Sequence, residues 1–586
     1  MSGIGLVLNL AKDAILTQQY AIDVISHNIA NVSTEGYARQ VPMLEAQDAA
    51  PYGGHLFGRG VKLSDIQSVT NAFIERRLQS STSNLSMMTE KETYMNIMET
   101  IFTENSGNSI SSQLSEFWNA LNDLNNNPSG IPERNMVTEY ASLLSQSFQE
   151  TSSDLLNLSK EVNNSIEVSI NSINEILDQI ADANKQIQLV KITGNPNDLI
   201  DKRNNLVKQL SEYMDINIYE YEDGAITVSS NKGFMLVNKQ ASYHLDFNGT
   251  DITWSTNSSP ITDDINGGKL GGWLDIRDEI IPKFKSDLDE LAKSIIWEVN
   301  KLHSQGVGLN GFTSVTGTYD ADDSSQAVGS IGSGLDYYDR ITDGSFRISL
   351  YDAAGNFVGD ETITIDADTT SLDNLVTTLS GLTIGGEDAF NSTITNGSLN
   401  IAIDSSNPVY SGYTFAFSDD SSNILAALGI NTFFTSSNAR DMGINNMIIA
   451  DKNYIAAGTI SGGEIYPGDN TNSLKLANLQ YQNVSVKRWI YSRGESPTSL
   501  DVTNITLDNY YHQMVGSIGI ESQSVQREKA YTLAIQQEMQ ATRDNISAVS
   551  LDEEMTNLIK YQHAYMAAAK LITTAQEMLD EILKTV

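Results

Sequence analysis

Chain ends ordinarily fray, yet both ends of this 586-residue sequence carry apolar stripes at coiled-coil spacing. At the N-terminal end Ile4, Leu8, Ala11, Ile15, Gln18, Ile22, Ile25 and Ile29 alternate at four and three residues, a heptad seam with one polar interruption. A helix spanning them is about 40 Å long. Asn28, Asn31 and the turn chemistry of Ser33, Thr34, Glu35 and Gly36 end it. At the other end the seam reads Leu551, Met555, Leu558, Gln562, Tyr565, Ala569, Ile572, Gln576, Leu579 and Leu583. Ile559, Tyr561, Met566, Ala568, Ala575 and Ile582 widen it, and a face that wide wants more than one neighbour. A single stripe is most often an ordinary core face. A matched pair at the two termini shifts the expectation towards packing between copies of the chain.

Between the ends the chain is too long for one hydrophobic core, so several domains are expected. The pattern from about Val61 to Tyr213 is helical, with breaks at Asn125–Gly130 and Gly194–Pro196. Near Ile216 the period changes to short strands, Ile218–Tyr221, Ala225–Val228 and Phe234–Val237, and the glycines of 267–272 close that β region. A helix then runs from Trp273 to about His303. From Gly311 to Asn431 the chain is rich in Ser, Thr, Asp and Gly, with alternating strands at Phe346–Leu350, Thr362–Ile365, Leu399–Ile403 and Tyr413–Phe417, and a helix capped by Ser371. After Asp469–Asn472 helical periodicity returns and continues to the end, interrupted at Ser492–Pro497. The expected fold is a multidomain α+β protein with β-rich domains inserted into a discontinuous helical frame. Its parts are a terminal coiled coil (1–60 and 541–586), a long-helix bundle (61–213, 272–310 and 432–540), a small β domain (214–271) and an outer β-rich domain (311–431).

Charge and residue chemistry exclude several classes. A formal net charge of −38 argues against nucleic acid and anionic membrane surfaces, and keeps monomers soluble and mutually repelling. With no cysteine there is no disulfide, thiol nucleophile or zinc–thiolate site. The start has no basic n-region and its apolar run breaks at Lys12 and Asp13, so neither a signal peptide of the general secretory type nor a membrane span is expected there. The six histidines (His27, His55, His244, His303, His512 and His563) lack metal spacing. Asp320–Asp323 and Asp366–Asp368 read as acidic turns rather than calcium loops. Gly306, Gly308 and Gly311 match a dinucleotide string but follow a helix instead of a strand. No catalytic constellation, cofactor or metal is expected, and the protein reads as structural.

The stretch from Ser26 through Asn28, Ile29, Ala30, Asn31, Thr34, Gly36 and Tyr37 to Gln40 resembles the N-terminal signature of flagellar rod, hook and hook-associated proteins. Leu551–Glu554, Tyr561, Gln562, Ala564, Tyr565 and Ala568–Ile572 resemble the partner motif at the other end of that axial family. The interior is similar to the hook-associated branch: Phe117, Trp118, Ala120, Leu121 and Leu124 with Pro128 and Arg134, then Asn197–Leu206, Glu222–Gly224 and Gly233–Val237. So are Leu288–Ala292, Val299–Asn300, Asn310–Gly311 and Gly468–Asn472, whereas 311–431 lies outside the resemblance.

The resemblance implies a self-assembling component of the bacterial flagellum at the junction of hook and filament. It would form a homo-oligomeric ring and be exported by the flagellar type III apparatus without a cleaved signal. The implied partners are hook protein, the second junction protein (hook-associated protein 3) and an export chaperone on the C-terminal helix, with no nucleic acid or membrane. Another axial subunit, hook or filament, is the nearest alternative; a secreted adhesin and a hydrolase inserted at 311–431 are more remote. In an assembled tube Gln18, Gln562 and Gln576 would either fix register or face a wet channel.

Overall fold

The computed structural model describes residues 3–52, 55–102, 109–192, 194–499 and 502–585. The protein is α+β, with long helices interrupted by many small antiparallel sheets. It divides into two compact units, one of Met1–Tyr94, Glu161–Ile276 and Gln523–Val586, the other of Met95–Lys160 and Arg277–Ser522. Among the described residues no helix is long and apolar enough to cross a membrane.

In the first unit the N-terminal helix, Gly3–Ala30, lies along the C-terminal helix, Leu551–Thr585. Each terminal stripe therefore already has one partner within the chain. A ribbon of Gln40–Ala46 paired antiparallel with Val61–Ser68 packs beside the N-terminal helix, where the buried Thr17 hydroxyl donates to Asp13 O (2.8 Å) and lies 3.1 Å from Val61 O. The helical reading from Val61 is corrected here. Val61–Ser68 is a strand whose half-buried and exposed positions alternate from Val61 to Asp65 and change phase at Ile66, beside a register shift between Leu63 and Asp65. Helicity begins at Ala72 and runs to Phe102.

A 61-residue helix, Ile131–Lys191, brings Val162, Ile166, Ile170, Ile173, Leu177 and Ile180 into the first unit's core. Asn184 on it is fully buried and docks the four-stranded meander of 216–242. Its amide donates to Ile226 O (2.9 Å) and Lys239 O (2.7 Å), and its Oδ1 accepts from Ile226 N–H (3.1 Å). The glycines of 267–272 do not close the β region but start a helix, Gly268–Asp275, five residues before Trp273. Gly268 holds φ +67° against Tyr213, where a Cβ would lie 2.2 Å from the Tyr213 carbonyl carbon, so only glycine allows that start.

The second unit is built on Ile110–Asn126 and Ile281–His303, whose Phe117, Trp118, Leu124, Phe284, Leu288 and Leu291 are all buried. Arg134 is buried and its guanidinium donates to the carbonyls of Pro128, Lys452 and Ile455 at 2.6–3.1 Å, pinning the Pro128 turn. The outer segment forms two three-stranded sheets, 357–365/344–351/414–418 and 314–316/398–403/390–395. Helix Leu372–Ser380 starts at Ser371 with a reciprocal capping box to Asn374. Helicity after Asn472 is less continuous than its period suggests. Val484–Val486 pairs with Thr503–Ile505, and Trp489–Ile490 with Thr498–Ser499. Val484 and Val486 are buried around an exposed Ser485, the alternation of a strand, and Gly494 and Pro497 rule out a helix through the turn.

Candidate assembly interface

The N-terminal helix ends where its sequence offers competing side-chain bonds. Asn31 Nδ2 donates back to His27 O (3.0 Å), the Thr34 hydroxyl lies 3.2 Å from Asn31 Oδ1, and Gly36 turns the chain at φ +81°. That turn delivers Tyr37 onto Asn28, which has no exposed surface. Asn28 uses its full hydrogen-bonding capacity. Its Nδ2 donates to Gln40 O (2.8 Å) and Glu554 Oε2 (3.0 Å). Its Oδ1 accepts from the Tyr37 hydroxyl (2.8 Å) and Gln40 N–H (3.0 Å). Because the Tyr37 hydroxyl donates to Asn28, its contact with His27 Nδ1 at 3.0 Å is one in which His27 donates; the two rings meet edge to face. Burial, with Asp198, Asp201 and Glu554 nearby, pushes the Tyr37 phenol well above its usual range.

Three other elements clamp the turn. From helix Asn197–Tyr213, Asp201 Oδ2 accepts Ala38 N–H (3.1 Å), Asp198 Oδ1 accepts from the Gln40 amide (2.8 Å), and Lys208 pairs with Glu35 (2.7 Å). From helix Leu507–Ser547, Arg543 donates to Gly36 O (3.0 Å) and pairs with Glu75 (3.3 Å), while Ser547 O accepts Arg39 N–H (2.8 Å). From the C-terminal helix, Glu553 pairs with Arg39 and Glu554 with Asn28. Asn28, Thr34, Gly36 and Tyr37 of the N-terminal signature, the Asn197–Leu206 stretch and Leu551–Glu554 thus meet in one clasp. Ile29, Ala30 and Asn31 form the end of the helix that enters it.

The seam residues divide by exposure. On the N-terminal helix Ala11 and Ile25 are buried, and Ile4, Leu8, Ile15, Gln18, Ile22 and Ile29 are half-buried. Gln18 Oε1 is buried with no hydrogen-bond partner among the described residues. On the C-terminal helix Leu558, Ala569 and Ile572 are half-buried, and Leu551, Met555, Gln562, Tyr565, Gln576, Leu579 and Leu583 are exposed. Among the described residues its buried positions are Glu554, which serves the clasp, and the small Ala568 and Ala575 flanking the expected seam. Small side chains let the two terminal helices approach closely while Ile559, Met566, Met578 and Ile582 face outward as well. Sequence reasoning did not single out Asp198, Asp201, Arg543 or Arg39 as clasp residues. The available signal was a carboxylate on the inward face of a helix that otherwise buries Leu206, Val207 and Leu210.

Three family models match the chain: flagellar hook-associated protein FlgK helical domain over residues 95–318, flagellar basal body rod FlgEFG protein C-terminal over 540–585, and flagella basal body rod protein over 8–37. The chain is 25% identical to flagellar hook-associated protein 1 of Bacillus subtilis, over 98% of this chain and 97% of that one. It is 24% identical to flagellar hook-associated protein 1 of Escherichia coli, over 98% of this chain and 99% of that one. A solved flagellar hook junction protein from Burkholderia pseudomallei superposes with a TM-score of 0.48 at 16% identity, over 81% of this chain and all of that one, too loosely to add to the sequence matches.

Proposed function

We propose that this chain, which belongs to the flagellar hook-associated protein 1 family, builds the junction between hook and filament by self-assembly of its terminal helices. The protein is a structural component of the flagellum, not a catalyst. The observation that carries the junction reading is a likeness running the length of the chain, with the helical-domain match separating it from rod and hook subunits that share only the terminal motifs. The clasp supports it physically. It orders both termini in one chain and leaves the large apolar residues of the C-terminal helix outward, where burying each stabilises by roughly 1.5–3 kcal/mol.

Hook and filament components are its assembly partners. In finer detail, hook protein contacts one side of the ring, hook-associated protein 3 the other, and an export chaperone covers the exposed C-terminal face before assembly. Export runs through the flagellar type III apparatus. Deletion of the gene should leave hooks without filaments and release flagellin monomers into the medium, with both defects restored by the full chain. Normal filaments in the deletion strain would overturn the junction role.

A further inference from the structure

Asp201 is a buried carboxylate of the clasp that holds the turn and makes no ion pair among the described residues. It is 8% exposed, and its single hydrogen bond among the described residues is the N–H of Ala38. It lines a cavity of about 110 Å³ beneath the signature turn. Two cations line the same cavity, and both are engaged elsewhere: Arg543 with Glu75 and Gly36 O, Lys208 with Glu35. The other charged groups around it are acidic, Asp198 on its own helix and Glu75 on Ala72–Phe102. Tyr37 faces it from the turn, and Glu554 reaches the hub through Asn28. His27 stands 3.7 Å from Asp198.

We propose that Asp201 is a proton-operated release for the clasp, a buried carboxylate whose ionisation loosens the signature turn and whose protonation locks it. A carboxylate with one donor and no counter-ion is poorly solvated, so its charged form favours an opened turn that admits water. The neutral acid keeps an oxygen for Ala38 N–H and gains a hydroxyl that can donate into the cavity. Burial pushes this carboxyl up to about 6; the Ala38 N–H and Arg543 pull it down, and Asp198 and Glu75 push it up. In the opened chain the group ionises near its ordinary value of 3.8. Between these values the closed state holds a proton that the opened state has lost. Closure is therefore fully favoured in acid and weakens as pH rises through about 6. Terminal-helix pairing is held below its attainable strength at neutral pH, whatever the chain assembles into.

Hydrogen exchange of the full-length chain reads this directly, as the protection of segment 37–40 relative to its intrinsic rate at each pH. The expected result is roughly tenfold more protection near pH 5 than near pH 7.5. In Asp201→Asn protection should be high at both, because the amide keeps an acceptor for Ala38 and never ionises. A residue serving only as a structural acceptor would instead give a weaker clasp at both pH values on substitution, and that outcome overturns the proposal. Should Asp201→Asn fail to fold, the wild-type profile decides, with protection that falls between pH 3.8 and about 6, levels off above, and does so in His27→Gln as well. A flat profile, or one that disappears with His27, sinks the idea.

Discussion

Asn28 joins four polar groups of the buried residues Tyr37, Gln40 and Glu554, and the cost of losing it follows from their burial. Asn28→Ala leaves the Gln40 N–H and carbonyl, the Tyr37 hydroxyl and Glu554 short of a partner, a loss on the order of 3 kcal/mol. Asn28→Asp should be worse, since it sets a second carboxylate against Glu554. Thermal unfolding of the two variants checks the order. In the second unit His303 has no exposed surface, donates from Nδ1 to Asn431 O (2.8 Å) and accepts Ala456 N–H at Nε2 (3.0 Å). Burial lowers it to about 4, with the nearby Arg134 acting in the same direction. The unfolded chain takes up this proton near 6.5 and the folded one only near 4, so stability falls as pH drops through that window, by about 3 kcal/mol in full. His303→Gln, weaker at neutral pH, should lose less on acidification when both are followed by calorimetry.

At the scale of elements, the terminal helices separate into a face that pairs within the chain and a face that is free to pair outside it. Ala21 and Ala568 are buried in the helix layer, and Met566 is exposed on the other side. Ala568→Leu should overpack the pair and lower its stability by about 1–3 kcal/mol. Met566→Asp should leave unfolding of the monomer unchanged and abolish polymer formation in sedimentation. Equal effects from the two substitutions would mean that one face serves both purposes. The helices themselves were legible in the sequence because a stripe repeats over many turns, and Ser371 announced its own cap. Val61–Ser68 and Val484–Val486 were not, because a short alternation beside long helical runs offers too few repeats to compete. The signatures at 26–40, 197–206 and 551–554 were visible singly. Their convergence was not, since bonds such as Gln40 to Asp198 and Asn28 to Glu554 join positions 158 and 526 residues apart and leave no local pattern.

The molecule as a whole carries 74 acidic against 36 basic residues, and the imbalance is uneven. Residues 311–431 contain seventeen Asp and Glu, two Arg and no Lys, so crowding copies of this segment around a ring is opposed by like charge. Polymerisation should therefore accelerate as salt rises from about 10 to about 150 mM, where the screening length falls from about 30 to about 8 Å. Light scattering would show it, and an unchanged rate would mean the acidic segments stay farther apart than that length. Mild acid should also act oppositely on the two units, tightening the first through Asp201 and weakening the second through His303. The Asn28–Glu554 bond has a consequence of another kind. Its partners come from opposite ends of the polypeptide, so this part of the clasp cannot close until the C-terminal helix has arrived. A chain cut short before Glu553 loses the Arg39–Glu553 pair and the Asn28–Glu554 bond, and its signature turn is held only by the helices of Asp201 and Arg543. The two ends of the polypeptide are thus fastened to each other only in a chain that extends at least to Glu554.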